Sequence, residues 1–277
     1  MSSEADAIAA VDHPATASSL AGDLQALGLG PGHVVIVHSS LSGLGWVAGG
    51  AQAVVEALLA TVGTTGTIVM ATQSGQLGDP VTWSDPPVPD DWINVIRTET
   101  PAYDPDLTPT RSMGAVVECF RQHRSTVRSA HPLHSFAANG PHGHQIVGGH
   151  RFDDGFGESS PLRALHDLDA LILLLQVGHG KNTSLHLAEH RANYSPKQRT
   201  SVGAPMRIDG ERQWVTAEVL EPIEDDFGQI GDALAATDLE VTGAVAGGSA
   251  RLMSMRPVVA FAADWMTEHR PASLAGS

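Results

Sequence analysis

The stretch Leu171-Ile172-Leu173-Leu174-Leu175-Gln176-Val177-Gly178-His179-Gly180-Lys181-Asn182-Thr183-Ser184-Leu185-His186-Leu187-Ala188-Glu189-His190 constrains the fold more than any other. It opens as an unbroken apolar run, too short to cross a bilayer and closed by glycine, the pattern of a strand covered on both faces. Such a strand belongs in the middle of a sheet with helices on each side. A Gly-His-Gly turn follows. Asn182, Thr183 and Ser184 all favour the N-cap position, which predicts a helix start there. On that helix His186, Glu189 and His190 stand three and four residues apart and share a face.

That face admits three readings. His186-x-x-Glu189-His190 matches the H-x-x-E-H pattern of inverted zinc peptidases, in which both histidines bind the metal and the glutamate is the base. Without a metal, Glu189 would orient His186, and His186 would remove a proton from a substrate nucleophile. The third reading is an amphipathic helix with a solvated polar face.

Upstream, Val34-Val35-Ile36-Val37 reads as a central strand. It runs into His38-Ser39-Ser40-Leu41-Ser42-Gly43-Leu44-Gly45 and then Gly49-Gly50. Residues 51–62 have helical apolar spacing, and Thr67-Ile68-Val69-Met70-Ala71 is a second strand. This strand, loop, helix, strand order predicts a parallel sheet. Serine hydroxyls, glycines and a helix N-terminus near Gly49 and Gly50 suit an anion such as a phosphate. The pattern is neither a P-loop nor a dinucleotide fingerprint.

Residues 72–110 are proline-rich and read as a long irregular segment, of the kind that covers a substrate. Trp83, Trp92 and Tyr103 favour its being ordered, and its acids, Asp79 and Asp104 among them, suit a cation. A helix should run from Arg111-Ser112-Met113-Gly114 to about Arg121, with Cys119 as a core residue, and His131 to Ala138 reads as a strand. Ser160 and Pro161 mark a helix start. Asp209-Gly210 predicts a hairpin joining strands over 202–208 and 213–220. A helix over 227–236, a short strand at Ala244-Val245 and a final amphipathic helix over 254–268 complete the chain. The expected fold is one mixed α/β domain over 17–270, with a central, largely parallel sheet flanked by helices and an antiparallel C-terminal portion. Residues 1–16 and 271–277 are expected to be flexible.

The formal net charge of −15 opposes general nucleic-acid binding and fits a cationic substrate. A single cysteine excludes an internal disulfide framework and a multi-cysteine zinc site. The first ten residues lack the pattern of a secretory signal, and no apolar run suits a membrane helix, so the expected location is the cytoplasm.

Five segments in order resemble the aminoglycoside N3-acetyltransferase family. They are Val37-His38-Ser39-Ser40-Leu41-Ser42 with Gly49-Gly50, then Thr108-Pro109-Thr110-Arg111-Ser112-Met113-Gly114, then His131-Pro132-Leu133-His134-Ser135-Phe136-Ala137-Ala138. Gly155-Phe156-Gly157-Glu158-Ser159-Ser160-Pro161-Leu162 and Asn182-Thr183-Ser184-Leu185-His186-Leu187-Ala188-Glu189 complete the set. The resemblance implies a metal-free α/β enzyme that moves acetyl from acetyl-CoA directly to the 3-amino group of a polycationic aminoglycoside, with antibiotic resistance as the associated role. His186 would be the general base and Glu189 would hold it. His38, Ser39, Ser40, Leu41, Gly49 and Gly50 would bind the cofactor, with the Ser39-Ser40 loop and Gly49-Gly50 taking the CoA phosphates. Arg111, Ser112, Met113 and Gly114 would follow the pantetheine and phosphate path, with Ser135 and Phe136 beside it. Ser112 stands where relatives often carry glycine. Asp79, Asp104, Glu158, Tyr194 and His190 are the candidates for substrate recognition. A different amine substrate in biosynthesis, a zinc hydrolase using His186, Glu189 and His190, and a non-catalytic CoA-binding protein stay open as alternatives, as does a homodimer.

Overall fold

The computed structural model describes residues 4–9 and 11–273. Within the N-terminal stretch expected to be flexible, α1 (Glu4–Ala9) is a short helix, and Ala15 forms a parallel bridge to Val47. Helix α2 (Ala17–Leu27) opens on a capping box in which Thr16 and Ser19 each accept the other's backbone N–H. Strand β1 (Val34–Ser39), helix α3 (Gly50–Val62) and strand β2 (Thr67–Ala71) follow as the sequence predicts.

The segment 72–110 contains α4 (Asp90–Glu99), which the apolar pattern does not reveal because the helix buries none of its residues. The segment is held by Arg128. Its guanidinium donates to the carbonyls of Thr72 and Thr108 and to the Ser74 hydroxyl, and it stands over the Tyr103 ring. Tyr103 is buried as expected, whereas Trp92 is 56% exposed.

Helix α5 (Gly114–Arg121) and the short strand β3 (Val127–Arg128) lead to β4 (Phe136–Asn139). The strand expected from His131 therefore starts five residues late. His131 Nδ1 accepts the N–H groups of Leu133 and His134, and this local turn takes donors a ladder would have used. Then come α6 (Gly143–Val147), α7 (Pro161–Asp167, capped by Ser160), β5 (Leu171–Leu175) and α8 (Leu185–Arg191). The hairpin of β6 (Arg199–Ile208) and β7 (Glu211–Leu220) turns at Asp209 and Gly210, both with positive φ, as a tight two-residue loop requires. Helix α9 (Phe227–Leu234), strands β8 (Glu240–Val245) and β9 (Gly248–Ser254) and helix α10 (Met255–Ser273) finish the fold.

The main sheet has the order β3-β4-β2-β1-β5-β9-β8. Its centre, β2-β1-β5, is parallel, and the pairings on both flanks are antiparallel. Alternation along the strands separates two cores. Ile36, Val69, Ile172 and Leu174 face the layer of α6 to α10, while Val35, Val37, Leu173 and Leu175 face α2, α3 and α5. From β1 the chain passes to β2 on one side, while β5 pairs on the other. The carboxyl ends of β1 and β5 thus meet at a topological switch point, where open α/β sheets bind ligands.

Candidate active site

A cleft of about 730 Å³ opens at that switch point, within the range of small-molecule sites. The end of β1 supplies His38 and Ser39 and the loop after it Ser40 and Leu41, the start of α5 supplies Ser112, Met113 and Gly114, and the loop after β5 leads to His186. The two strand-end loops interlock. A Cβ on Gly43 would stand 2.7 Å from Gln176 Cβ, so this close approach needs glycine.

His186 lies in the first turn of α8 and is 2% exposed. Its Nδ1 is 3.1 Å from Glu189 Oε2, and its Nε2 is 3.2 Å from Glu224 Oε1. Phe156 stacks on the ring at 4.4 Å between centroids and 16°, and Phe227 closes the other side at 4.9 Å. Burial alone would lower the imidazole pKa, but hydrogen bonds to the two carboxylates outweigh it and raise the value. Glu189 is itself buried. It accepts the Ile223 N–H at 3.0 Å and pairs with Arg270, which also grips Asp226 and donates to the Tyr194 hydroxyl. Glu224 has a side chain 58% exposed, facing the cleft.

Two polar atoms at the cleft have no partner among the described residues: His38 Nε2 and Ser39 Oγ. Burial, helped by nearby His179, lowers the His38 pKa to about 4, so this ring is neutral at physiological pH. Ser112 and Gly114 both have positive φ, and Met113 at the N-cap of α5 makes no side-chain cap. The first N–H groups of α5 are therefore open toward the cleft. Arg111 precedes them, exposed and without an ion pair among the described residues. Lys181 lines the cleft opposite.

Several residues expected at the site lie elsewhere. Gly49 and Gly50 start α3 outside the cleft lining, and their positive φ values serve that turn. Ser135 is buried against Thr72 and Arg128, and Phe136 is core. Of the proposed cation ligands, Asp79 makes a bidentate pair with Arg97. Asp104 Oδ1 accepts the N–H groups of Asp106 and Leu107. Glu158 joins Arg191 and Arg163, which hold its carboxyl down to about 2 against the opposing effect of burial. Tyr194 is behind the site on Arg270, and His190 turns toward Asp154 at 3.6 Å, in a separate pocket. Each of these side chains is turned to another partner within the fold. The zinc reading needs His186 and His190 to converge. They diverge, and among the described residues no group of three or more His, Cys, Asp or Glu could hold a metal ion. Glu224, Arg270 and Phe227 reach the site through tertiary folding, with no motif spacing to mark them, and Phe156 lies in the Gly155 to Leu162 segment without any sign there that its ring stacks on His186.

The aminoglycoside 3-N-acetyltransferase family model matches residues 36–267. The chain is 43% identical over 253 residues to the SPbeta prophage-derived aminoglycoside N(3')-acetyltransferase-like protein YokD of Bacillus subtilis, covering 91% of this chain and 92% of that one. The crystal structure of YokD superposes with a TM-score of 0.92 over 94% of this chain and 96% of that one. Aminoglycoside N(3)-acetyltransferase VIII of Streptomyces fradiae is 34% identical, over 95% of both chains. Among solved structures, AAC-IIIb in binary complex with CoASH aligns at a TM-score of 0.83 and 28% identity over 92% of this chain and 97% of that one. Sisomicin-bound AAC-VIa aligns at 0.84 and 30% over 92% and 98%. Among the described residues no helix is long and apolar enough to cross a membrane.

Proposed function

We propose a reaction for this chain on the premise that it belongs to the aminoglycoside 3-N-acetyltransferase family, as the match over residues 36–267 shows. The reaction is transfer of acetyl from acetyl-CoA to the 3-amino group of an aminoglycoside, directly and without an acyl-enzyme. The observation that carries it is the buried His186–Glu189 pair opening on a cleft built from the ends of β1 and β5. Acetyl-CoA fits the side of the cleft formed by the β1 loop and the start of α5. There Ser39 Oγ and the open N–H groups of α5 offer donors, and the exposed Arg111 just before α5 offers positive charge for phosphates. CoASH occupies the AAC-IIIb structure, which supports placing it in the corresponding cleft here.

The amine binds on the Glu224 side, where an exposed carboxylate beside His186 suits an ammonium group. His186 Nε2 takes the amine proton as the nitrogen attacks the thioester carbonyl. Glu189 fixes the ring through Nδ1 and stabilises the imidazolium that forms, as a triad carboxylate does. Thr183, which lines the cleft three residues ahead of His186, would donate to the developing oxyanion. The C–S bond then breaks and the leaving thiolate takes the second proton from the nitrogen.

The test is free-thiol release from acetyl-CoA by the purified protein, with a panel of aminoglycosides and a blank, followed by assignment of the acetylated position. Release that depends on an aminoglycoside, with the 3-amino group modified, is expected. CoA binding without release for any of them would overturn the aminoglycoside assignment and turn the search to another amine.

A further inference from the structure

The hydrogen bonds of the site conflict with a free base. An ionised carboxylate only accepts, and a neutral imidazole has one donor nitrogen. His186 faces a carboxylate on each nitrogen. Glu189 also accepts the Ile223 N–H and pairs with Arg270, so it is ionised. Glu224 is held below its ordinary pKa first by its hydrogen bond to His186, against partial burial. Both ring nitrogens must then donate. The free protein holds an imidazolium, which cannot take a proton from an amine.

We propose that Glu224 is a substrate-operated cap on His186: it occupies Nε2 in the free protein, and the incoming ammonium draws it away, releasing the imidazole as a base. The proposal rests on the acetyltransfer reading above. Three observations carry it. The cap contact is to Nε2, the nitrogen that faces the cleft, while Nδ1 is fixed from behind. The two carboxylates differ in freedom, since Glu189 is 1% exposed and triply held, whereas the Glu224 side chain is 58% exposed. Glu224 also sits in the segment between β7 and α9, outside any helix or strand.

The surroundings favour this division. On α8, Glu189 stays paired with Arg270 of α10 whether or not Glu224 moves, so one carboxylate always remains on the ring. His134, from the turn before β4, has its pKa lowered to about 3 by burial and by His186, so it stays neutral and adds no charge. His190, on the same helix, has a lowered pKa and is turned to Asp154. Lys181 acts on Glu224 from the cleft side and helps keep it ionised. Phe156 and Phe227 cover the two sides of the ring.

The step balances. When the ammonium pairs with Glu224, the Nε2 proton passes to bulk water and Nε2 exposes its lone pair. The ammonium nitrogen then loses one proton to Nε2, and the lone pair so freed forms the C–N bond. The C–S bond breaks, the leaving thiolate takes the second proton from the nitrogen, and the proton on Nε2 restores the imidazolium that Glu224 caps. An uncharged ligand in the same place would leave the cap closed, so the device selects amines that arrive as cations.

The experiment is histidine side-chain NMR on the full protein, with His186 assigned by comparison with His186→Gln. The ring is titrated free, with CoA, and with CoA plus an aminoglycoside that supports thiol release. The expected result is a doubly protonated ring in the free protein, titrating above the ordinary histidine value, that titrates below it once the aminoglycoside is bound. In Glu224→Gln the free protein should already titrate low, and the aminoglycoside should produce no further shift. A His186 titration that is the same in wild type and Glu224→Gln overturns the cap, whether or not a substrate has been found. A wild-type titration unmoved by a bound, turned-over aminoglycoside overturns the release step. Absence of aminoglycoside-dependent thiol release is a separate result, and it counts against the substrate reading.

Discussion

Glu189 and Arg270, 81 residues apart in the chain, form a buried ion pair directly behind the imidazole of His186. One residue comes from a short helix in the middle of the chain and the other from its last helix. The pair orients the base and fastens α10 across α8. Arg270 carries this further by gripping Asp226 with two donors and by donating to the Ile223 carbonyl, beside the residue that caps the base.

Replacing Arg270 by methionine leaves the Glu189 carboxylate buried without its ion-pair partner. Breaking a buried pair from one side costs about 3–5 kcal/mol. Arg270→Met is therefore expected to lose that much stability in denaturant unfolding, together with most of its activity, whereas Tyr194→Phe, which removes only a hydroxyl from the same guanidinium, should lose about 1 kcal/mol. Wild-type stability in Arg270→Met would show that the pair contributes nothing to the fold.

Glu189→Gln keeps the shape of the side chain and removes its charge. The imidazolium formed during transfer loses its stabilising partner, and kcat should fall by at least about 10²-fold. The acetyl-CoA Kd, read by calorimetry, should stay near the wild-type value because Glu189 is not in the cleft lining. Equal losses in both measurements would mean that the carboxylate holds the cleft together and has no part in the chemistry.

Ser112 has φ of 60°, a conformation that glycine adopts freely and serine does not. Ser112→Gly should relieve about 1 kcal/mol of backbone strain, partly offset by the added freedom of the unfolded chain. The expected outcome is a Tm equal to or slightly above wild type, with acetyl-CoA turnover retained. A clear fall in Tm would show that the serine hydroxyl has a structural task.

The elements that sequence revealed are those with strong local signals. The β5 run, the Asp209-Gly210 hairpin and the Ser160 cap all fell where local chemistry put them. So did the pairing of His186 with Glu189, because helical spacing places them together. Long-range partners were not legible. Asp79 has the composition of a cation ligand, but Arg97 on α4 already neutralises it. Glu224 carries no motif, and only the return of the chain from the β6–β7 hairpin brings it to Nε2. His131 interrupts a strand-like pattern by capturing two backbone donors with its own ring.

Acid should unfold this protein sooner than its carboxylates alone would suggest. Burial depresses the pKa of His38 to about 4, of His134 to about 3 and of His150 to about 4, and lowers that of His131 as well. The unfolded chain binds protons at these sites from about pH 6.5 downward while the folded chain does not, so stability falls as pH falls through that window. Each site opposes folding by about 1.4 kcal/mol per pH unit until its own folded pKa is reached. His186 works in the opposite sense, because its raised pKa adds stability at low pH that is lost as pH rises through the folded value. Burial lowers His166 and His190 as well, so six depressed histidines stand against one raised, and Tm should drop by several degrees between about pH 7 and pH 5. A flat Tm over that range would contradict the neutral buried state of these rings.

The most direct test of the account is His186→Gln, measured for turnover and for CoA binding on the same preparation. If the imidazole is the base, aminoglycoside-dependent thiol release should fall by about 10²- to 10⁴-fold, while CoA still binds with near wild-type affinity and the far-ultraviolet spectrum is unchanged. Turnover at the wild-type rate in a protein that keeps its fold and its CoA affinity would contradict the assignment of His186 and place the chemistry elsewhere in the cleft.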